Sequence, residues 1–197
     1  MPSDRPLRFL LVPGLLTASM LLGAVGCTRT TVEQSMLQRH PSELDDFDFW
    51  DGLAEEPVVS NDDALPALIL MEDGRDPSAD FEGRMAVARE KGWLAGTAGT
   101  LEPNESASVG VLSVAGCRIL GIRGGLTMQL FGDSPRYCTR ELNAMGILPG
   151  LTPNEAMTGL EFITFIDSLE ERDRLQRSWQ RQETAEATTD EAESDDK

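Results

Sequence analysis

The chain carries Leu101-Glu-Pro-Asn-Glu-Ser-Ala-Ser108 and, fifty residues on, Leu151-Thr-Pro-Asn-Glu-Ala-Met-Thr158. Leucine, proline, asparagine and glutamate coincide, and a hydroxyl residue falls five after the proline in both. An apolar helical pattern follows each: Val109-Gly-Val-Leu-Ser-Val-Ala115 and Gly159-Leu-Glu-Phe-Ile-Thr-Phe-Ile166. A glycine stop precedes each, in Lys91-Gly-Trp-Leu-Ala-Gly96 and Met145-Gly-Ile-Leu-Pro-Gly150. Stepping 48 residues back from Ser108 reaches Ser60, with Pro57 before it and the apolar run Ala64-Leu-Pro-Ala-Leu-Ile-Leu-Met71 after it. This third copy is degenerate. Its Pro66 fits only if the helix starts at Asp62 or later, which keeps the proline in the first turn.

The physics of the unit is simple. Proline keeps the chain extended, and the serine or threonine accepts from the free N–H groups that open the next helix. An acid three residues later returns a bond, pairing Ser60 with Asp63 and Thr158 with Glu161. Gly92 and Gly146 end the preceding helix in the left-handed conformation. Each unit is then helix, glycine stop, extended loop, capped helix, and its apolar face is buried only against its neighbours.

Other helix signals agree. Ser78 is placed to cap a helix presenting Phe81, Met85 and Ala88 on one face. Ser134-Pro135 opens another, through Tyr137 and Leu142 to Met145. The helix from Thr158 carries Leu160, Phe162, Ile163, Phe165, Ile166 and Leu169, and its polar continuation, Glu170 to Arg174, projects into water. Strand signals are scarce. Gly121-Ile-Arg-Gly124-Gly125 reads as a turn-rich connector without the spacing of a phosphate loop.

Charge narrows the function classes. The 197 residues carry a net charge of −17 and a single histidine, His40. Nucleic-acid binding needs clustered Lys and Arg, so nucleic acid is not an expected partner. A histidine-based triad or a His-rich metal site would have only His40 to use. The cluster Asp45, Asp46, Asp48 and Asp51 misses the alternation of a calcium loop because Trp50 occupies a ligand position. No catalytic group, metal or cofactor is expected. Residues 41–82 hold fourteen acids and one base, and the tail 183–197 holds seven acids and Lys197. That tail has no apolar face and is expected to be disordered.

Residues 1–26 read as a secretory leader, with Arg5 and Arg8 ahead of an apolar run too short and too interrupted for a comfortable membrane span. Its end, Ala24-Val-Gly-Cys27, resembles the lipobox of bacterial lipoproteins, with Ala24 where leucine is preferred. The resemblance implies cleavage before Cys27, lipid on that cysteine, and a membrane as partner. Thr28, in place of an aspartate, implies the outer membrane rather than the inner. Residues 27–44 then form a tether, 45–182 the folded domain and 183–197 the tail. Cys117 and Cys138 lie in successive helical patterns. An oxidising envelope permits a disulfide between them, and two buried free thiols are the alternative.

The repeated unit resembles the S-layer homology domain, whose repeats place a helix ending near glycine, an "F-x-P" element and an "I-T-R-A-E-F" helix start in that order. Leu151-Thr-Pro153 and Met157-Thr-Gly-Leu-Glu-Phe162 match the last two; Leu101-Glu-Pro103 and Ala107 to Leu112 match them less closely. Asp46-Phe-Asp-Phe-Trp50 echoes a repeat opening. The resemblance implies a mainly α, compact domain of two to three helix–loop–helix repeats that contacts an anionic polymer attached to peptidoglycan, or an envelope assembly. It departs from the family at the anion-contacting arginine, where this chain has Asn61, Val109 and Gly159. Arg118, Arg123, Arg136 and Arg140, around the glycine-rich connector, are the candidate replacement anion patch. The other reading is an adaptor whose acidic block recognises a basic protein.

Overall fold

The computed structural model describes residues 29–40, 47–97, 100–125, 128, 130 and 132–194, with side chains as far as residue 184. The leader 1–26, the lipidation candidate Cys27, and Asp45 and Asp46 lie outside the described residues. Seven helices are described: α1 Met36–Arg39, α2 Phe47–Ala54, α3 Asn61–Asp73, α4 Phe81–Glu90, α5 Val109–Ile119, α6 Pro135–Ala144 and α7 Gly159–Ser194. Extended pairing among the described residues is confined to isolated bridges, Thr31 with Glu105, Ser60 with Ser106 and Ser108 with Ala156.

The repeat is realised residue by residue. Ser60, Ser108 and Thr158 open α3, α5 and α7, their hydroxyl oxygens accepting from the amides of Asp63, Val111 and Glu161 at 3.2, 3.3 and 3.3 Å. Gly92 and Gly146 follow α4 and α6 with φ of 72° and 73°, the left-handed stop that glycine adopts without a Cβ penalty.

Backbone bonds join the units in a ring. The first two amides of α3, Asn61 and Asp62, donate to the carbonyls of Glu105 and Pro103 in the loop ahead of α5. The first two of α5, Val109 and Gly110, donate to Glu155 and Pro153 ahead of α7. The first amide of α7, Gly159, donates to Glu56 ahead of α3 and closes the cycle. On the axis sit the residues just before the caps, Val59, Ala107 and Met157, all buried. Ala107 donates to the Val59 carbonyl and Val59 to that of Met157, both at 2.9 Å. Free donors at the helix starts are thus satisfied by the neighbouring unit's loop, so no unit is complete alone.

The helices pair as α3 with α4, α5 with α6, and α7 with α2. The last pair uses the two ends of the chain: α2, from the front, supplies the helix that would otherwise follow α7. Phe49 and Leu53 of α2, Leu68 and Ile69 of α3, Leu112 of α5 and Phe162, Phe165 and Leu169 of α7 are fully enclosed in one core. Each such side chain contributes about 1.5–3 kcal/mol against about 1 kcal/mol for a cap, so the core sets the stability and the caps set the register. Small residues allow the closest approach. Gly110 and Ser113 line the face of α5 toward α6, Gly116 sits where α5 meets both α6 and α7, and a Cβ at Gly110 would lie 2.7 Å from the Pro135 ring. Ser113 meets Thr139 through a 3.0 Å hydroxyl–hydroxyl bond.

Three details differ from the sequence reading. Asp80, not Ser78, caps α4, accepting from the Gly83 amide at 2.8 Å, while the Ser78 amide donates to Asp76. The helix α3 starts at Asn61, so Pro66 lies in its second turn, and the Asp62 carbonyl loses the donor four residues on. Residues 29–40, assigned to a tether, pack on the domain: Ser106 donates to the Thr30 carbonyl, Val32 donates to Asn104, and Met36 and Leu37 are buried. Polarity concealed this, because the strap's own polar side chains, Ser35, Gln38 and Arg39, are the ones that bond the domain beside Met36 and Leu37. As expected of the tail, segment 183–197, which the trace of α7 enters as far as Ser194, has no apolar stripe to fasten it to the core.

Candidate functional site

The three-unit junction leaves an open groove of about 620 Å³. One wall is the turn Gly96-Thr97 after the first glycine stop. The floor is the start of α5, with Ser108 and Val111. The opposite wall is the start of α6, Ser134-Pro135-Arg136, and the rim is Pro153-Asn154 from the next unit's loop, with Arg29 of the strap reaching in. The groove exists because Pro135 packs closely on both sides: Cβ atoms at Gly96 and Gly110 would stand 2.9 and 2.7 Å from its ring. Two glycines therefore bring the start of α6 against the start of α5.

The lining is cationic and polar, and none of its residues is acidic. Arg136 is exposed and has no carboxylate partner among the described residues. Arg29 donates to the Ser106 carbonyl at 3.4 Å, and Glu105 lies 3.8 Å away. Ser134 is the N-cap of α6, yet its side chain makes no capping bond, and Pro135 has no N–H to offer. The α6 amides at Arg136 and Tyr137 therefore face outward with the positive end of the helix dipole behind them. The buried Thr97 hydroxyl has no hydrogen-bond partner among the described residues. Two guanidinium groups, a helix start without a side-chain cap and the Thr97 hydroxyl together line the groove with hydrogen-bond donors and positive charge.

The four candidate arginines stand differently toward the groove, Arg136 and Arg140 sharing one face of α6. Only Arg136 lines the groove. Arg118 Nε is held 2.6 Å from Asp133, pinning the connector back to α5. Arg123 lies exposed on the connector and Arg140 exposed one turn further along α6. Arg29 replaces them. Its only signal in sequence lay in a segment that composition assigned to the tether. The positions where the resemblance expects an arginine are all committed to packing. Asn61 donates to the Glu102 carbonyl at 2.8 Å, Val109 is buried, and Gly159 abuts the α2 backbone.

Two acids of the block, Asp62 and Asp63, are interior, whereas Asp48, Asp51, Glu55, Asp73, Asp80 and Glu82 are exposed. Asp62 accepts from the Ser35 hydroxyl at 2.8 Å and lies 3.6 Å from Arg84, which also binds Asp76 at 2.6 Å. Asp63 accepts from the Leu37 amide at 2.9 Å and the Ser60 hydroxyl at 2.7 Å. Burial holds its carboxyl above the usual carboxylate range, although these donors pull the other way. Asp62 and Asp63 thus fasten the strap to α3.

Cys117 and Cys138 are buried, unbonded thiols on facing helices, with Cys117 Sγ 3.9 Å from the Cys138 carbonyl. The hydrogen bond with Cys138, and then burial, push the Cys117 thiol up, away from nucleophilic character. Among the described residues no group of three metal-ligating side chains converges, and no helix is long and apolar enough to cross a membrane.

Comparison with models of known protein families, with curated proteins and with solved structures finds no match to this chain.

Proposed function

We propose that this chain is a non-enzymatic, lipid-anchored cell-envelope protein. In this reading its S-layer-homology-like domain holds an anionic polymer of the cell wall in the groove between Arg29 and Arg136. The leader ending at Cys27 supports the anchor, and the ring of three capped units supports the family resemblance. The observation that carries the ligand class is the groove: an acid-free, cationic pocket on a chain of net charge −17. Glu105 offsets part of the Arg29 charge, while repulsion from more distant acids fades over about 8 Å at physiological salt, so the unpaired Arg136 contributes most to holding an anion.

The test is sedimentation with purified sacculi, with and without covalently attached secondary polymers, over a salt series. Pelleting is expected to depend on those polymers and to weaken as salt rises. Arg136→Glu is expected to reduce it about tenfold, a loss of roughly 1.4 kcal/mol, while Arg140→Glu leaves it nearly unchanged. An absence of pelleting at every salt concentration overturns the reading and redirects the search to a protein partner.

A further inference from the structure

Beyond the groove, α7 carries an apolar seam that nothing described covers. Leu160, Leu175 and Trp179 are 62%, 45% and 63% exposed, large values for such side chains. With Thr164 and Ser168 they fall along one stripe of the helix, beside the face that buries Phe162, Phe165 and Leu169. At its first half the stripe borders a cavity of about 330 Å³ between α7 and the turn Ile147-Leu148-Pro149. Past Leu169 the helix leaves the body, so Leu175 and Trp179 stand on a projecting arm.

Charge divides along the same line. Residues 160–171 contain Glu161, Asp167, Glu170 and Glu171 and no base. Residues 172–181 contain Arg172, Arg174, Arg177 and Arg181 and one acid, Asp173. The helix is therefore acidic where it has a cavity and basic where it has an aromatic arm. Two of the basic groups are engaged internally, Arg177 with Asp173 and Arg172 with the Met145 carbonyl. Asp167 and Arg174 are exposed and have no partner among the described residues. They stand seven residues apart, on the same edge of the seam.

We infer that the seam is a homodimer interface in which the α7 helices of two copies pair antiparallel, each arm lying over the other copy's cavity. This pairing sets Trp179 against the partner copy's stripe at Leu160, and Leu175 against its Thr164. Equal edges face each other in an antiparallel pair, so Asp167 meets Arg174 of the other copy, twice by symmetry. The two acidic halves meet the two basic halves, whereas parallel pairing would set like against like. Each Trp179 enters a cavity lined by Ile147, Leu148 and Pro149, the aromatic-in-pocket arrangement of an interface anchor.

Sedimentation velocity of the purified full chain over a concentration series tests this. A monomer–dimer equilibrium is expected. Trp179→Asp is expected to weaken it at least ~30-fold. Asp167→Arg and Arg174→Asp are each expected to weaken it ~3–10-fold, and the doubly substituted chain to return to near the original constant. All three positions are exposed, so unchanged melting temperatures show that the fold is intact. A chain that stays monomeric at every concentration overturns the inference. So does association insensitive to Trp179→Asp, or a double charge reversal that fails to restore it; leader-driven aggregation or pairing through the acidic tail would give these results.

Discussion

The helix starts at Ser60 and Thr158 share one local grammar and live in opposite surroundings. At both, a hydroxyl accepts from the amide three residues on, and an acid sits at that third residue. At Thr158 the box is exposed and closes on itself: Glu161 accepts from the Thr158 amide at 2.9 Å. At Ser60 it is buried, and the acid is diverted outward. Asp63 takes the Ser60 hydroxyl with one oxygen and the Leu37 amide with the other. A motif worth about 1 kcal/mol locally becomes, in the first unit, the clasp that holds the N-terminal strap. The same residues therefore report local helix capping in one unit and long-range assembly in another.

The largest way to break that parallel lies one residue after the caps. The equivalent positions are Asn61, Val109 and Gly159, and only the last has no room. A Cβ there would sit 1.5 Å from the Leu53 carbonyl oxygen, a backbone atom that cannot swing aside. Gly159→Ala is expected to cost about 3 kcal/mol or more, by separating α7 from α2. Asn61→Ala loses only a hydrogen bond to Glu102, about 1 kcal/mol. Chemical denaturation of the two variants checks the ranking, and equal losses would mean that the third junction is no tighter than the first. Next in size, Thr158→Ala is expected to cost about 1 kcal/mol in the same assay. Because that box is exposed and touches only α7, its loss should not loosen the strap, as protease susceptibility near residues 29–40 would report.

How far the sequence speaks follows from the range of each interaction. Caps and glycine stops act over three to five residues, and with the fifty-residue repeat step they locate α3, α5, α6 and α7. The ring of bonds from Asn61, Val109 and Gly159 to the next loop was implicit in the repeat, since equal units must meet equally. Other features depend on what lies far away in the chain. The pairing of α2 with α7 joins residues more than a hundred apart, and the packing of Met36 and Leu37 is invisible in a polar segment with no period. The arginines of the groove show the same limit. Arg136 is marked in the sequence by its place near the glycine-rich connector, whereas Arg29 enters because the strap pairs with the domain, Thr31 bridging to Glu105. Arg118 was legible as a cation but not as the partner of Asp133.

The smallest expected effect is the sharpest test of the clasp. Burial raises the Asp63 carboxyl above its ordinary value, so the folded chain binds that proton more tightly than the unfolded chain does. The group therefore favours folding most at a pH below its unfolded value. That contribution declines as pH climbs through the carboxylate range to the folded value, after which the buried charge is carried in full. Asp63→Asn keeps an oxygen for the Leu37 amide and gives Ser60 a donor in place of an acceptor, with no charge to bury. At pH 7 its stability should lie within about 1 kcal/mol of the parent, on either side of zero. As pH falls from 7 toward 4, the parent should gain relative to the variant. A variant much less stable at pH 7 whose deficit grows further on acidification keeps the raised carboxyl and means that the amide serves the Leu37 and Ser60 partners poorly. A deficit that grows on raising pH above 4 contradicts the direction of the shift itself, and would mean that the Leu37 and Ser60 donors outweigh the burial at this carboxylate.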